Sequence, residues 1–272
     1  MMSHLLEVQN LRCGYGKRHE IEIIHGVSFS VDTDEFVCVI GANGCGKTTI
    51  LKALMGLLPA TEGTISVRGQ DIANMHETER AKHFAYIPQA HIPPFPFSVS
   101  DVVIMGRTPY INRLARITER DRVVAYQSIE LLGITDLAHK AYTTLSGGQQ
   151  QLVLIARALT QQSDILVMDE PTASLDFGNQ QMVLSRVKTL ARMGKAVVMV
   201  THDPDQALFC ADRVIVMDEG EIIADGTPGA CITTEMLHRI YNTNARVIDV
   251  AVEPGKTERV CIPFRDTDLS SG

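Results

Sequence analysis

Residues 41–48 read Gly-Ala-Asn-Gly-Cys-Gly-Lys-Thr and match the pattern G-x-x-x-x-G-K-[ST] of a phosphate-binding loop. Glycines let such a loop turn its backbone N–H groups inward toward an anion. Lysine at the position of Lys47 reaches the β- and γ-phosphates of a nucleotide, and a hydroxyl at Thr48 binds Mg²⁺. The loop therefore predicts a nucleoside triphosphate site, whose contacts are Gly41, Asn43, Gly44, Cys45, Gly46, Lys47, Thr48 and Thr49.

The motif has chemical meaning only between a strand and a helix, and both flanks meet this condition. Residues 36–40 form a short apolar run that is typical of a buried strand. Residues 49–55 continue without Gly or Pro and place Ile50, Leu51 and Leu54 on one helical face. The positive end of that helix would add to the attraction for phosphate.

The overall composition is that of an ordinary globular protein. The chain has 272 residues, of which 45% are hydrophobic and 21% are charged. A net charge of −7 argues against nucleic acid as the main partner, because phosphate backbones select basic surfaces. No apolar run has the length needed to cross a bilayer, and the first residues lack the features of a secretory signal.

Six cysteines are scattered without a C-x-x-C pair, which disfavours a disulfide framework or a zinc site and fits a reducing cytosol. Cys45 is interpreted as a small filler of the phosphate loop, with a redox role as the alternative.

Alternating apolar residues near the N-terminus predict a small antiparallel sheet beside the main one. Its strands are expected at 6–11, 27–31 and 64–67, with a turn cluster at 13–18.

A region with a different composition follows a predicted strand at 84–87. Prolines at 93–96 interrupt regular structure, and a helix is predicted over 99–106 behind Ser98 or Ser100. Thr118 to Asp121 resembles a capping box that starts another helix. We expect residues 90–160 to form a mostly helical subdomain inserted into one domain.

Apolar strands alternate with helices over the rest of the domain. This pattern predicts a mostly parallel sheet covered on both faces, an α/β fold of the P-loop NTPase type. The expected segments are strands at 164–168 and 196–200, helices at 180–192 and after Asp203, and a hairpin at 214–223. The predicted domain spans 1–227. Residues 228–272 are expected to form a short tail packed on the core, with a helix at 233–241 and two weak strands.

Two further motifs carry chemistry. Asp169 and Glu170 end an apolar strand, where an aspartate could hold Mg²⁺ and a glutamate could orient or deprotonate the attacking water. Residues 145–149, Leu-Ser-Gly-Gly-Gln, place a hydroxyl and backbone N–H groups at a predicted helix start, which favours an anion.

In this order, these motifs resemble those of ABC-type ATPases over nearly the whole chain. Residues 41–48 resemble Walker A, Gln89 the Q-loop, residues 145–149 the signature, and Asp169 with Glu170 Walker B. The remaining matches are residues 174–176 to the D-loop and His202 to the switch histidine.

The resemblance implies a role for each matching residue. Tyr15 would stack on adenine, although an exposed hairpin tyrosine is the alternative. Gln89 would contact Mg²⁺ or the water, and His202 the γ-phosphate, so that Glu170, His202, Gln89 and Lys47 are the expected catalytic residues. Mg²⁺ would be held by Thr48, Gln89 and Asp169. The signature would bind ATP held by a second copy in a head-to-tail dimer, through Ser146, Gly147, Gly148 and Gln149.

Within the family, three stretches resemble importer ATPases for iron-siderophore, haem, cobalamin or molybdate-type substrates: residues 102–107, residues 174–180 and the tail around Tyr241. The resemblance implies integral-membrane permease subunits as partners, an extracytoplasmic substrate-binding protein as an indirect partner, and a place at the cytoplasmic face of the membrane. Gln89 and residues 93–97 would contact the permease. Gln150 and Asp34 depart from the pattern, at positions where Arg and Gly are common.

Two alternatives stay open within the ABC-type proteins. One is an ATPase of iron–sulfur cluster assembly, which would bind scaffold proteins and no permease. The other is a DNA-repair or translation-type protein. The short span between Lys47 and Ser146 and the single copy of each motif disfavour the latter.

Overall fold

The computed structural model describes residues 4–16, 21–89, 96–111 and 116–264. The strands in chain order are β1 Leu6–Tyr15, β2 Ile21–Val31, β3 Phe36–Gly41, β4 Glu62–Val67, β5 Gln70–Asp71, β6 Phe84–Ile87, β7 Ile165–Asp169, β8 Ala196–Thr201, β9 Arg213–Asp218, β10 Glu221–Gly226, β11 Ala245–Glu253 and β12 Lys256–Pro263. The α-helices are α1 Lys47–Leu54, α2 Glu77–His83, α3 Val99–Ile104, α4 Glu119–Leu131, α5 Gly147–Thr160, α6 Phe177–Arg192, α7 Pro204–Cys210, α8 Pro228–Cys231 and α9 Thr234–Tyr241.

A six-stranded sheet in the order β10-β9-β3-β8-β7-β6 forms the centre of the molecule. Its strands run parallel from β9 to β6, and only β10 is antiparallel to its neighbour. The predicted mostly parallel sheet is confirmed. Because parallel strands end at the same edge, β3, β7 and β8 bring residues 41, 169 and 201 together at that edge.

Both faces of the central sheet are buried, as the fully apolar strands predict. Successive residues of β3 alternate between two cores: Phe36, Cys38 and Ile40 face one, and Val37 and Val39 face the other. The first core contains the apolar faces of α3, α4, α5 and α6, and the second contains α1 and the N-terminal strands.

The predicted N-terminal antiparallel sheet is confirmed, in the order β2-β1-β4-β5. Some strand bounds differ from the sequence prediction: β2, expected at 27–31, begins at Ile21. Residues 13–15, assigned to a turn, continue β1 and pair with β2 as far as Tyr15 opposite Ile21. Cys13 is buried in this pairing, and residues 17 and 18 of the predicted turn lie outside the described residues.

Helices dominate the described part of residues 90–160, although residues 90–95 and 112–115 lie outside it. Ser98 caps α3, and the predicted capping box of Thr118 and Asp121 starts α4. The helix predicted to end at 106 ends at Ile104 and becomes a 3₁₀-helix over 105–110, because Pro109 cannot continue an α-helix. The helix predicted from 180 begins at Phe177 behind its cap Asp176.

The tail segment contains the predicted helix, α9, and a two-stranded sheet of β11 and β12. Its strands are longer than the weak signals indicated. The backbone N–H of Cys261 donates to Asp205 of α7 at 2.8 Å, and the Val247 N–H donates to Thr234 at 3.0 Å. The domain division at 227 stays a prediction, and residues 265–272 lie outside the described range.

Among the described residues, no helix is both long and apolar enough to cross a membrane.

A buried ion pair fixes the 3₁₀-helix against α4. The Arg107 guanidinium donates to Asp121 at 2.9 Å and also to the Thr160 carbonyl and the Gln162 amide. The Arg107 and Asp121 side chains are only 7% and 11% exposed. Hydrogen bonds from Thr118, together with the one from Arg107, lower the pKa of Asp121 to about 2.

We predict that Asp121→Asn destabilises the protein by about 2 kcal/mol at neutral pH, since the lowered pKa measures the preference for the charged carboxylate. Because the pKa of Asp121 is lower in the folded protein than its unfolded value of 3.8, the ionised carboxylate stabilises the fold fully above pH 3.8. This stabilisation is lost as the pH falls toward about 2. Urea unfolding from pH 7 downward should show that the difference in free energy of unfolding between wild type and variant disappears over this range.

The matched control is Asp101→Asn. Asp101 forms the same kind of capping box, with Ser98. In the described structure, the only side chain that hydrogen-bonds to the Asp101 carboxylate is that of Ser98. An equal loss of stability in both variants would contradict a contribution from the Arg107 pair.

Candidate functional site

The phosphate loop connects β3 to α1 and has the backbone that an anion site needs. Gly44 and Gly46 lie in the left-handed region, with φ of 85° and 108°. Gly46 precedes α1, and no side chain caps the first turn of this helix. The first N–H groups of α1 therefore point into the loop without a side-chain acceptor. The buried Lys47 ammonium is held inside the loop by the Gly41 and Ala42 carbonyls, at 2.8 and 2.9 Å.

The turn between β9 and β10 supports the loop from the side. Gly220 donates its N–H to the Cys45 carbonyl at 3.1 Å, and its carbonyl accepts from the His25 N–H at 3.0 Å. A Cβ at Gly220 would overlap the Ile23 carbonyl and the His25 ring. The turn thus links the antiparallel sheet to the phosphate loop at a position where only glycine fits.

Cys45 is buried, and this burial raises the pKa of its thiol. A thiol that stays protonated is a poor nucleophile, so these observations support the role of a small filler.

Asp169 ends β7 beside the phosphate loop. One carboxylate oxygen accepts from the Thr48 hydroxyl at 3.4 Å, and the other accepts from the Tyr86 hydroxyl at 3.3 Å. Burial raises the pKa of Asp169, because it leaves the charge without full solvation. A carboxylate and a hydroxyl this close together are hard oxygen donors, and an incoming cation would offset the cost of burying the charge. The pair fits Mg²⁺.

Glu170 and His202 face each other next to this carboxylate. His202 Nδ1 lies 3.0 Å from Glu170 Oε2, and the Glu170 N–H donates to the Val200 carbonyl at 3.0 Å. Glu170 adopts φ of 47°, a left-handed conformation that costs a residue with a Cβ about 1 kcal/mol. The structure therefore brings two of the four expected catalytic residues, Glu170 and His202, into contact.

Gln206, which was not predicted from the sequence, connects the two loops that contain Glu170 and His202. Its buried side-chain oxygen accepts from the Thr172 and Thr201 hydroxyls at 3.0 and 3.1 Å, and its amide donates to Asp203 at 3.2 Å. The one sequence signal that could have indicated Gln206 is its place in the helix that follows His202.

The signature residues form the start of α5. Ser146 accepts from the Gln149 N–H at 3.4 Å, and the Gln149 side chain accepts from the Ser146 N–H at 3.2 Å. A Cβ at Gly148 would overlap Asn179, so the start of α5 packs closely against α6. Gln150 donates to the Tyr142 and Leu145 carbonyls, both at 3.3 Å, and so fixes the turn before the signature.

The two remaining predicted residues occupy different surroundings. The Tyr15 hydroxyl lies near α1, 3.4 Å from Thr49 Oγ1 and 3.3 Å from Lys52 Nζ. Tyr15 is therefore near the phosphate loop, with its ring partly exposed. Gln89 is exposed, two residues beyond the end of β6.

Asp34 occupies a position where glycine is common in the family. Its φ of 66° lies in the left-handed region, which glycine adopts without steric cost, and this explains the preference for glycine there.

Comparison with known proteins decides the family. The family model described as ABC transporter matches residues 24–173, more than half of the chain. The chain belongs to the ABC transporter ATP-binding proteins. The family predicted from the motifs, and with it an ATPase activity coupled to transport, is confirmed.

Two relatives show where the chain lies within this family. It is 38% identical to the hemin import ATP-binding protein HmuV of Nocardia farcinica, over 90% of this chain and 83% of the relative. It is 35% identical to the molybdate import ATP-binding protein MolC of Haemophilus influenzae, over 89% of both chains. The ABC ATPase is thus related to importer ATPases of the predicted group.

Two solved structures extend the comparison. A metal-chelate type ABC transporter in an inward-facing conformation matches with a TM-score of 0.86 and 31% identity, over 98% of this chain and 100% of that one. A dimeric ATP-binding cassette bound to ADP and phosphate matches with a TM-score of 0.70 and 27% identity, over 82% of this chain and 98% of that one.

We predict that Gly220→Ala weakens ATP binding by about tenfold or more, because the new Cβ displaces the turn that holds the Cys45 carbonyl. Isothermal titration with ATP in EDTA measures the effect on the loop without hydrolysis.

Gly255→Ala is the matched control, since Gly255 has the same φ of 80° but open space around its Cβ position. Both variants carry the backbone cost of about 1 kcal/mol, and only Gly220→Ala adds the clash. Equal ATP affinities in the two variants would show that the turn does not support the loop.

Proposed function

We propose that the chain hydrolyses ATP with Mg²⁺ to drive the import of a metal chelate or oxyanion through a separate membrane permease. The observation that carries this proposal is the meeting of the phosphate loop, Asp169 and the Glu170–His202 pair at one edge of the central sheet. Its substrate class follows that of the two relatives, which are named as import proteins for hemin and molybdate.

In the proposed reaction, water attacks the γ-phosphorus, and the bond from that phosphorus to the β–γ bridging oxygen breaks, giving ADP and phosphate. Glu170 accepts the water proton, and His202 orients Glu170 and contacts the γ-phosphate. Lys47 leaves the two loop carbonyls and pairs with the β- and γ-phosphates. Tyr15 stacks on the adenine, next to α1.

Mg²⁺ would be held by Thr48 and Asp169, with Gln89 as a further contact, and would neutralise charge on the phosphates. Mg²⁺ commonly uses one or two protein carboxylates together with substrate phosphates, which matches this small set of ligands.

A second copy of the chain would complete the site. Ser146 and Gly147 are exposed at the start of α5, where the hydroxyl and the first backbone N–H groups can meet a phosphate from outside. The dimeric ADP-bound cassette supports such an arrangement by analogy. We infer a head-to-tail dimer with two ATP molecules between the subunits.

The permease is the other proposed partner, with an extracytoplasmic binding protein as an indirect one and no nucleic acid. The chain would then act at the cytoplasmic face of the membrane. The predicted contact segment at 93–97 lies partly outside the described residues, and within it Phe97 packs against the first core. The alternative of an iron–sulfur assembly ATPase, which would bind no permease, disagrees with the transport-coupled activity of the family.

Import is tested by deleting the gene and measuring uptake of labelled haem, iron chelates, cobalamin and molybdate. Loss of uptake for one of them, restored by the wild-type gene, is the expected result. Co-purification with a scaffold protein instead of a polytopic membrane protein would contradict the proposed permease.

We predict that Glu170→Gln binds ATP and dimerises, but hydrolyses it at least about a hundredfold more slowly, because the amide cannot accept the water proton. Phosphate release and size-exclusion chromatography with ATP measure the two properties. The exposed Glu130→Gln is the control with unchanged turnover. Wild-type turnover in Glu170→Gln would exclude Glu170 as the base.

We further predict that two inactive variants restore activity when mixed. Lys47→Ala removes the phosphate contact, and Ser146→Arg blocks the signature. Only a mixed dimer has one intact site, built from the loop of one copy and the signature of the other. Turnover should return to about a quarter of wild type if the subunits pair at random. No recovery despite subunit exchange would contradict the composite site.

A further inference from the structure

Among the side-chain hydrogen-bond partners of Asp169 in the described structure, Tyr86 is the one that no sequence motif contains. Its hydroxyl lies 3.3 Å from Asp169 Oδ2, while Thr48 of the phosphate loop contacts Oδ1 at 3.4 Å. The carboxylate is thus held from both sides, and each of its oxygens accepts one hydroxyl. A group bonded at both oxygens loses the freedom to rotate about its side-chain torsions.

Strand pairing explains why Tyr86 can reach this carboxylate. Tyr86 in β6 stands opposite Val167 in β7, so their side chains share one face of the sheet. Asp169 is two residues beyond Val167 and lies on that face as well. The phenol is long enough to cover the two-residue offset along the strands, which a serine or threonine at position 86 could not do.

The contact also suits the chemistry of a metal ligand. A phenol donates a hydrogen bond without bringing a positive charge, so it leaves the negative charge of the carboxylate available to a cation. A lysine or arginine in this place would orient Asp169 but would compete with the metal.

From this geometry, and resting on the proposed function, we propose that Tyr86 is a positioning residue that holds Asp169 ready for Mg²⁺. The competing role is purely structural, because the ring also lines a cavity of about 420 Å³ with Met55, Leu57 and Arg157. Tyr86→Phe keeps this wall and removes only the hydroxyl, so it separates the two roles.

The experiment measures metal affinity directly. The full chain is saturated with ADP, which cannot be hydrolysed at the γ position, and titrated with Mn²⁺ as a paramagnetic substitute for Mg²⁺. Free Mn²⁺ is counted by electron paramagnetic resonance. We expect the Kd for Mn²⁺ to rise roughly tenfold in Tyr86→Phe, as for other groups that orient metal ligands. ADP affinity in EDTA should stay within about twofold of wild type, because the phosphate loop is untouched.

Tyr126→Phe is the control, since Tyr126 is an exposed tyrosine on α4 away from the phosphate loop, and its Mn²⁺ affinity should equal that of wild type. An unchanged Mn²⁺ affinity in Tyr86→Phe overturns the inference. So does a parallel loss of ADP affinity in EDTA, which would show a disturbed nucleotide site.

A third variant, Asp169→Asn, distinguishes failure of this inference from failure of the proposed function. If Asp169→Asn weakens Mn²⁺ binding and Tyr86→Phe does not, only the role of Tyr86 is wrong. If neither variant changes Mn²⁺ binding, the assignment of Asp169 as a metal ligand is wrong, and the role of Tyr86 falls with it.

Discussion

The parallel pairing of β3, β8 and β7 is the constraint on which the site depends. Each strand delivers one group at its carboxyl end: the phosphate loop after Gly41, His202 after Thr201, and Asp169 with Glu170. In register, Ile40 stands beside Thr201 and Asp169 beside Val200. Groups far apart in the sequence therefore meet at one edge of the sheet.

Much of this arrangement could be predicted from the sequence. The phosphate loop is local, since its glycines, lysine and hydroxyl lie within eight consecutive residues and its flanks show their own periodicity. Strands buried on both faces are apolar throughout, so β7 and β8 were also predictable. The family resemblance supplied the roles of Gln89, Ser146 and His202, which chemistry at isolated positions would not have indicated.

The missed residues act across long sequence separations. Tyr86 reaches Asp169 between neighbouring strands, Gly220 reaches Cys45 from the turn between β9 and β10, and Gln206 joins two loops through a single amide oxygen. No local pattern encodes such contacts. Arg107 is a similar case: it was noted as part of an importer-like stretch, and the structure gives it a buried ion pair in the helical region.

The backbone of Glu170 has a consequence for how this protein balances stability against activity. Shorter polar residues such as Asn tolerate a left-handed conformation better than Glu does, and Gly tolerates it best. Folding stability alone would therefore favour another residue at position 170. A glutamate there keeps its carboxylate 3.0 Å from His202 and accepts the local strain. Selection for greater thermal stability alone would be expected to replace this residue and so remove the carboxylate that the proposed reaction uses as its base.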